Sequence, residues 1–194
     1  MTRDRIFAAA RAVLDREGLP GITIRKVADQ AGLSPMAMYR HFADKDALLN
    51  VLMKDGLAAW ENIARSISVA DPIEWLYALA DAYLEFALTE PHRFDAAFFL
   101  PASRARQFPE DFAAGRSPVL AMAMARIEQA NADARLDGTS PLEIALAVAA
   151  LAQGLVSMYR ANRISSEKQL RTVYRAQIRH CIEGFCRKPA RRGR

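Results

Sequence analysis

Between Thr23 and Phe42 the chain reads Thr-Ile-Arg-Lys-Val-Ala-Asp-Gln-Ala-Gly-Leu-Ser-Pro-Met-Ala-Met-Tyr-Arg-His-Phe. Two short helical segments are written around Gly32. Thr23 can cap the first. Ser34 followed by Pro35 starts the second, because serine favours the N-cap and proline favours the first helical position. Gly32 supplies a residue that accepts φ > 0 between them. Ala28 is small enough for two helices to cross there, and Val27, Ala31, Leu33 and Met38 fall where a helix pair buries its side chains. Phe42, one turn beyond Met38, closes that core. Two helices joined by so tight a turn have a narrow set of folds and one recurrent use, which is to lay the second helix in the major groove of DNA.

The outward face then presents Ser34, Pro35, Met36, Ala37, Tyr39, Arg40 and His41. Tyr39, Arg40 and His41 carry donors suited to phosphate, and such contacts set register on the duplex. Lys45, beside the Asp44 cap of the next helix, is placed to hold another phosphate. Thr23 and Arg25 open the preceding helix, and Arg25 is long enough to reach a guanine edge. Met36 and Ala37 can offer only apolar contact, as to a thymine methyl.

Net charge adds little to this reading. The chain carries 27 basic and 22 acidic residues, a balance of +5. Arg187, Lys188, Arg191, Arg192 and Arg194 account for all of that excess, so the remaining chain is neutral. Residues 188–194 read as a disordered basic tail. Cys181 and Cys186 have neither metal-ligand nor disulfide-framework spacing and read as free thiols.

Alanine and leucine are abundant and β-branched runs are scarce, which predicts an all-α fold of about nine helices. The first spans Arg3 to Glu17, with Thr2 as cap and Gly18 and Pro20 as stops. Asp44 begins a long fourth helix, Asp71-Pro72 a fifth, and Pro91 a short sixth. Pro101 to Pro118 reads as a loop. A seventh helix follows over Pro118 to Ala132. Ser140-Pro141-Leu142-Glu143 has the pattern of a capping box for the eighth, and Ser165-Ser166-Glu167 starts the ninth. Residues 1–46 are expected to form the DNA-binding domain, 47–187 a ligand-binding and dimerisation domain. The longest apolar run, Ile144 to Ala152, is too short to span a bilayer. A cytoplasmic location with no membrane partner is expected.

Thr23-Ile24-Arg25-Lys26-Val27-Ala28, Gly32-Leu33-Ser34, Tyr39-Arg40-His41-Phe42 and Lys45-Asp46-Ala47-Leu48-Leu49 resemble the N-terminal domain of TetR-family transcriptional repressors. Glu90-Pro91-His92-Arg93-Phe94 and Gln153-Gly154-Leu155-Val156-Ser157 resemble one C-terminal subgroup, in which histidine is common where Gln153 stands. The resemblance implies a homodimer on a near-palindromic operator of double-stranded DNA. It implies a small-molecule effector that lowers DNA affinity from a pocket in the C-terminal domain. By position, Tyr39, His41 and Lys45 hold phosphates, Arg25 reaches a base, and Pro35 to Ala37 face the groove.

Pairing is expected through the last two helices, whose apolar surface is broad. Leu151, Leu155, Tyr159, Tyr174, Ile178, Cys181 and Ile182 are the interface candidates. Trp75, Tyr83, Phe86, Phe94, Phe98 and Met122 suggest a largely apolar pocket, with His92, Arg93, Asp95 and Gln153 as polar anchors. The chain lacks a Gly-rich phosphate loop, a nucleophile elbow and His-x-x-x-His or Cys-x-x-Cys spacing. No cofactor, metal or catalytic residue is expected. The rival reading is an all-α enzyme or small-molecule carrier with no DNA role.

Overall fold

Short polar side chains ahead of apolar runs decide where the helices begin. A computed structural model describes residues 2–100, 110–113 and 117–187. Among them are ten helices: α1 (Thr2–Gly21), α2 (Ile24–Ala31), α3 (Pro35–Tyr39), α4 (Lys45–Arg65), α5 (Pro72–Thr89), α6 (Pro91–Phe98), α7 (Glu110–Ala113), α8 (Pro118–Ala132), α9 (Pro141–Arg160) and α10 (Glu167–Phe185). The all-α expectation holds. The tenth helix is the four-residue α7, inside the stretch read as a loop. Residues 101–109 and 114–116 of that stretch and the 188–194 tail lie outside the described residues.

The caps follow the sequence signals with two exceptions. The side chains of Thr23, Ser34 and Ser166 accept the N–H groups of Lys26, Ala37 and Gln169. Asp44 accepts from Ala47 N–H at 2.6 Å, and Asp71 from Ile73 and Glu74 N–H at 2.9 Å each. Ser140 stands at the N-cap of α9 but its side chain makes no cap bond, so the expected capping box does not form. The local loop is instead held by Asn131, which bonds Thr139 C=O and Gly138 N–H. Thr2 lies inside α1 rather than capping it. The break expected at Gly18 is present as a kink, with Gly18 at φ 68° and the helix resuming to Gly21.

By packing, the chain forms two compact units, Met1–Asn62 with Phe86–Ala105, and Ile63–Glu85 with Arg106–Arg194. In the first unit, α1 packs on α2 and α6. Ile6, Val13, Leu14, Val27, Ala28, Met38, Phe42, Leu48 and Leu52 make its core. Each large apolar side chain buried there contributes about 1.5–3 kcal/mol. Helix α6 joins this unit because α4 lets it come close. A methyl carbon built on Gly56 stands 2.8 Å from the Arg93 carbonyl oxygen and 2.9 Å from Ala97 Cβ. Beside that contact, Asp55 accepts from Arg11 at 3.0 Å and from Arg93 at 2.9 and 3.1 Å. Trp60, Phe86, Phe94 and Phe98 stack and tilt against one another with centroids 4.8–6.4 Å apart.

In the second unit, α9 packs against α8 and α10. The Tyr174 hydroxyl donates to the Ala80 carbonyl at 2.7 Å, which satisfies the one polar atom of a fully buried ring. Arg171 pairs with Glu85, and Arg175 with Asp81 at 3.0 Å. The end of α10 is tied to the α8–α9 loop by the Leu136–Cys186 bridge and by Arg187 donating to Leu136 C=O at 2.9 Å.

Candidate nucleic-acid interface

The turn between α2 and α3 is built from backbone groups. Gly32 sits at φ 62°, ψ 41°, the left-handed conformation that a β-carbon disfavours. Gly32 N–H donates to Asp29 C=O at 3.1 Å and Leu33 N–H to Ala28 C=O at 2.9 Å, which satisfies carbonyls at the end of α2. Val27, Ala28 and Met38 are fully buried between the two helices, and Leu33 half-buried beside them. Packing on one side leaves the other side free. Thr23, Arg25, Ser34, Pro35, Met36, Tyr39, Arg40, His41 and Lys45 are all exposed, and Ala37 is half-exposed.

Some of these polar groups are already engaged. Thr23 Oγ1 accepts Lys26 N–H at 3.1 Å and Ser34 Oγ accepts Ala37 N–H at 3.2 Å. Each hydroxyl keeps its proton to donate. Lys26, on the same helix as Arg25, is held by Glu17 at 2.5 Å, and the two cations Lys26 and Arg16 keep the Glu17 carboxyl below its usual range.

Arg3 was not among the residues singled out from the sequence. Its guanidinium lies 5.5 Å from the centroid of Phe42, the core residue just beyond the end of α3, the reader helix of the motif. Only the fold brings positions 3 and 42 together, and no local spacing signals it. An open groove of about 500 Å³ lies among Arg3, Phe7, Phe42, Val51 and Lys54. None of the expected effector-pocket residues lines it.

Those pocket residues divide between the two units. Phe86, His92, Phe94 and Phe98 belong to the first, and Trp75, Tyr83, Met122 and Gln153 to the second. Trp75, Tyr83, Phe86 and Phe94 are buried; His92, Phe98, Met122 and Gln153 are half-buried. Burial pushes the Tyr83 phenol pKa well up, so it stays neutral. Arg93, one of the expected polar anchors, donates to Asp55 at 2.9 Å and to Glu90 at 3.1 Å. Trp75 carries the Arg126 guanidinium 5.5 Å from its ring centroid.

The expected pairing residues also divide. Leu155, Tyr174, Ile178 and Ile182 are at most 8% exposed within the single chain and serve its own core. Leu151, Tyr159 and Cys181 are half-buried. The outer face of α9 carries Ala147, Ala150, Leu151, Gly154 and Met158, and that of α10 carries Val173, Ala176, Gln177, His180 and Gly184. A β-carbon built on Gly154 or Gly184 meets nothing within 4 Å. Among the described residues α9 is one helix long and apolar enough to cross a membrane, at mean hydropathy 1.6 with 28% of its window buried.

Two family descriptions match the chain. Residues 6–52 match the bacterial regulatory proteins of the tetR family, and residues 76–181 match the tetracyclin repressor-like C-terminal domain. The chain belongs to the TetR family. It is a regulator with a helix-turn-helix domain and a ligand-binding type of C-terminal domain, not an enzyme. The tetracycline repressor class A of transposon 1721 from Escherichia coli is 39% identical over 66 residues, 34% of this chain and 30% of that protein. A Rhodococcus sp. RHA1 protein of unknown function superposes with TM-score 0.76 at 24% identity, over 96% of both chains. A TetR variant from Acinetobacter baumannii AYE, in complex with minocycline, superposes with TM-score 0.65 at 20% identity, over 92% of this chain and 93% of that one. The alignments span about half or less of the curated relatives' length. This TetR-family regulator shares its fold with these structural neighbours over more than nine-tenths of the chain.

Proposed function

We propose that this TetR-family protein is a cytoplasmic homodimeric repressor that binds a near-palindromic operator and is released by a small, largely apolar effector. The observation that carries the proposal is the one-sided reader helix. Met38 is fully buried while Met36, Tyr39, Arg40 and His41 on the same short helix and its end stand in solvent. Tyr39, His41 and Lys45 are assigned to phosphates, Arg25 to a base edge, and Thr23, Ser34, Pro35, Met36, Ala37 and Arg40 to the surrounding contact surface.

One such helix covers half a site, and two must sit about 34–36 Å apart on the duplex. Pairing is supported by the outer faces of α9 and α10, which present small and uncharged side chains where a lone helix pair would present charge. Helix α9 is apolar along its length yet only partly covered by its own chain, which favours a partner surface. The interface is accordingly assigned to Ala147, Ala150, Leu151, Gly154, Met158, Val173, Ala176 and His180, next to the inward-facing residues named from sequence. An apolar effector is supported by the buried aromatics Trp75, Tyr83, Phe86 and Phe94, and a small-molecule effector by minocycline bound to the Acinetobacter relative.

A mobility-shift assay with the DNA upstream of the protein's own gene tests the reading. Selective binding is expected, weakening with salt by about 0.9 log unit per phosphate contact per log unit of salt. Arg25→Ala is expected to cost about 1–3 kcal/mol and to relax the sequence preference. Weak, sequence-blind binding refutes operator recognition. A monomer mass by ultracentrifugation at micromolar concentration refutes the dimer. Effectors that bind without changing operator affinity refute release.

A further inference from the structure

Met36 is the most exposed large apolar side chain among the described residues, at 74%. It occupies the second position of α3, directly after Pro35. The fold gains almost nothing from its hydrocarbon there, since Met38, two residues on, supplies the core contact. In a helix-turn-helix the N-terminal residues of the second helix meet base edges.

The chemistry around Met36 narrows what it can meet. Pro35 has no N–H, Ser34 Oγ already accepts the Ala37 N–H, and Ala37 has no polar side chain. Apart from the Ser34 hydroxyl, which keeps a proton to donate, the tip of the reader helix is apolar. In the major groove only thymine offers an apolar group, its C5 methyl. A guanine or cytosine edge pressed against the thioether instead loses water without gaining a hydrogen-bond partner, which penalises those bases. Methionine is unbranched and polarisable, so it can follow a methyl across a short range of positions.

We propose that Met36 is a specificity-determining residue that packs on one thymine methyl in each half-site, and that 5-methylcytosine, which carries the same methyl in the groove, stands in for thymine there. This rests on the operator-binding reading above.

The test uses the full chain and a duplex selected by it from a random-sequence library. Each thymine of a half-site is replaced in turn by deoxyuridine, which removes only the methyl. At one position the wild type is expected to lose about fourfold in affinity, and about fifteenfold when both half-sites are changed. Met36→Ala, exposed and compatible with a helix, is expected to bind the thymine and uracil duplexes equally. Met36→Leu is expected to retain the difference. Replacing that thymine by 5-methylcytosine, with guanine opposite, is expected to cost less than replacing it by cytosine, and only when Met36 is present. Insensitivity of the wild type to uracil at every position overturns the proposal, as does an undiminished penalty in Met36→Ala. If no sequence is selected at all, operator binding itself fails and this proposal falls with it.

Discussion

Gly56→Ala tests whether α6 is docked on α4 as tightly as the packing of the first unit requires. Alanine is the better helix former by about 1 kcal/mol, so in an open helix the change is stabilising. Here the new methyl lies 2.8 Å from the Arg93 carbonyl oxygen and 2.9 Å from Ala97 Cβ. Neither atom is the end of a flexible side chain. Relief requires α6 to retreat by roughly half an ångström, to ordinary contact distance, or both helices to strain. Overpacking of this kind costs about 1–3 kcal/mol. The retreat also stretches the Arg93–Asp55 hydrogen bonds, now 2.9 and 3.1 Å. Each such bond to a charged group contributes about 1.5 kcal/mol or less at this partial exposure. The clash exceeds the propensity gain, and the expected net loss is about 1–2 kcal/mol. For a chain of this size that lowers the melting temperature by about 2–8 °C. Thermal unfolding followed by circular dichroism at fixed protein concentration reads it. Combined with Asp55→Asn, the loss should be less than additive, because both changes release the same Arg93 contact. A Gly56→Ala protein as stable as wild type, or stabilised, refutes the reasoning.

Three further outcomes follow from single contacts. Gly32→Ala forces a β-carbon into a φ 62° conformation with no steric neighbour, so the cost is purely backbone, about 1 kcal/mol, read from urea midpoints. Tyr174→Phe removes the 2.7 Å hydrogen bond to Ala80 while keeping the packed ring, and a loss of about 1 kcal/mol is expected in the same assay. Arg171 holds the Glu85 carboxyl below its usual 4.5. A depressed carboxylate stabilises the fold above that value and stops doing so as pH falls through the folded-state pKa. Both partners are part-exposed, so screening limits the effect to about 0.5–1 kcal/mol. Stability of Glu85→Gln should therefore decline less than that of wild type between about pH 5 and pH 3; parallel declines sink this assignment.

Local signals in the sequence determined what local bonds decide. Thr23, Ser34, Asp44, Asp71 and Ser166 were legible as helix starts because each caps an N–H only two or three residues away. Gly32 was legible because its φ is demanded by a turn closed within five residues. That was sufficient for the helix-turn-helix and for its exposed Tyr39, Arg40 and His41. Tertiary structure decided what depends on residues far apart. Helix α10 has apolar side chains on more than one side, and the helical period does not say which side faces home. The Tyr174 bond to Ala80, spanning 94 positions, turns that side inward and leaves Val173, Ala176 and His180 outside. The pairing of Arg93 with Asp55, 38 residues earlier, is likewise set by the fold and by no local spacing. Burial and ion pairing are sums over distant neighbours, and a periodic pattern along one helix carries no record of them.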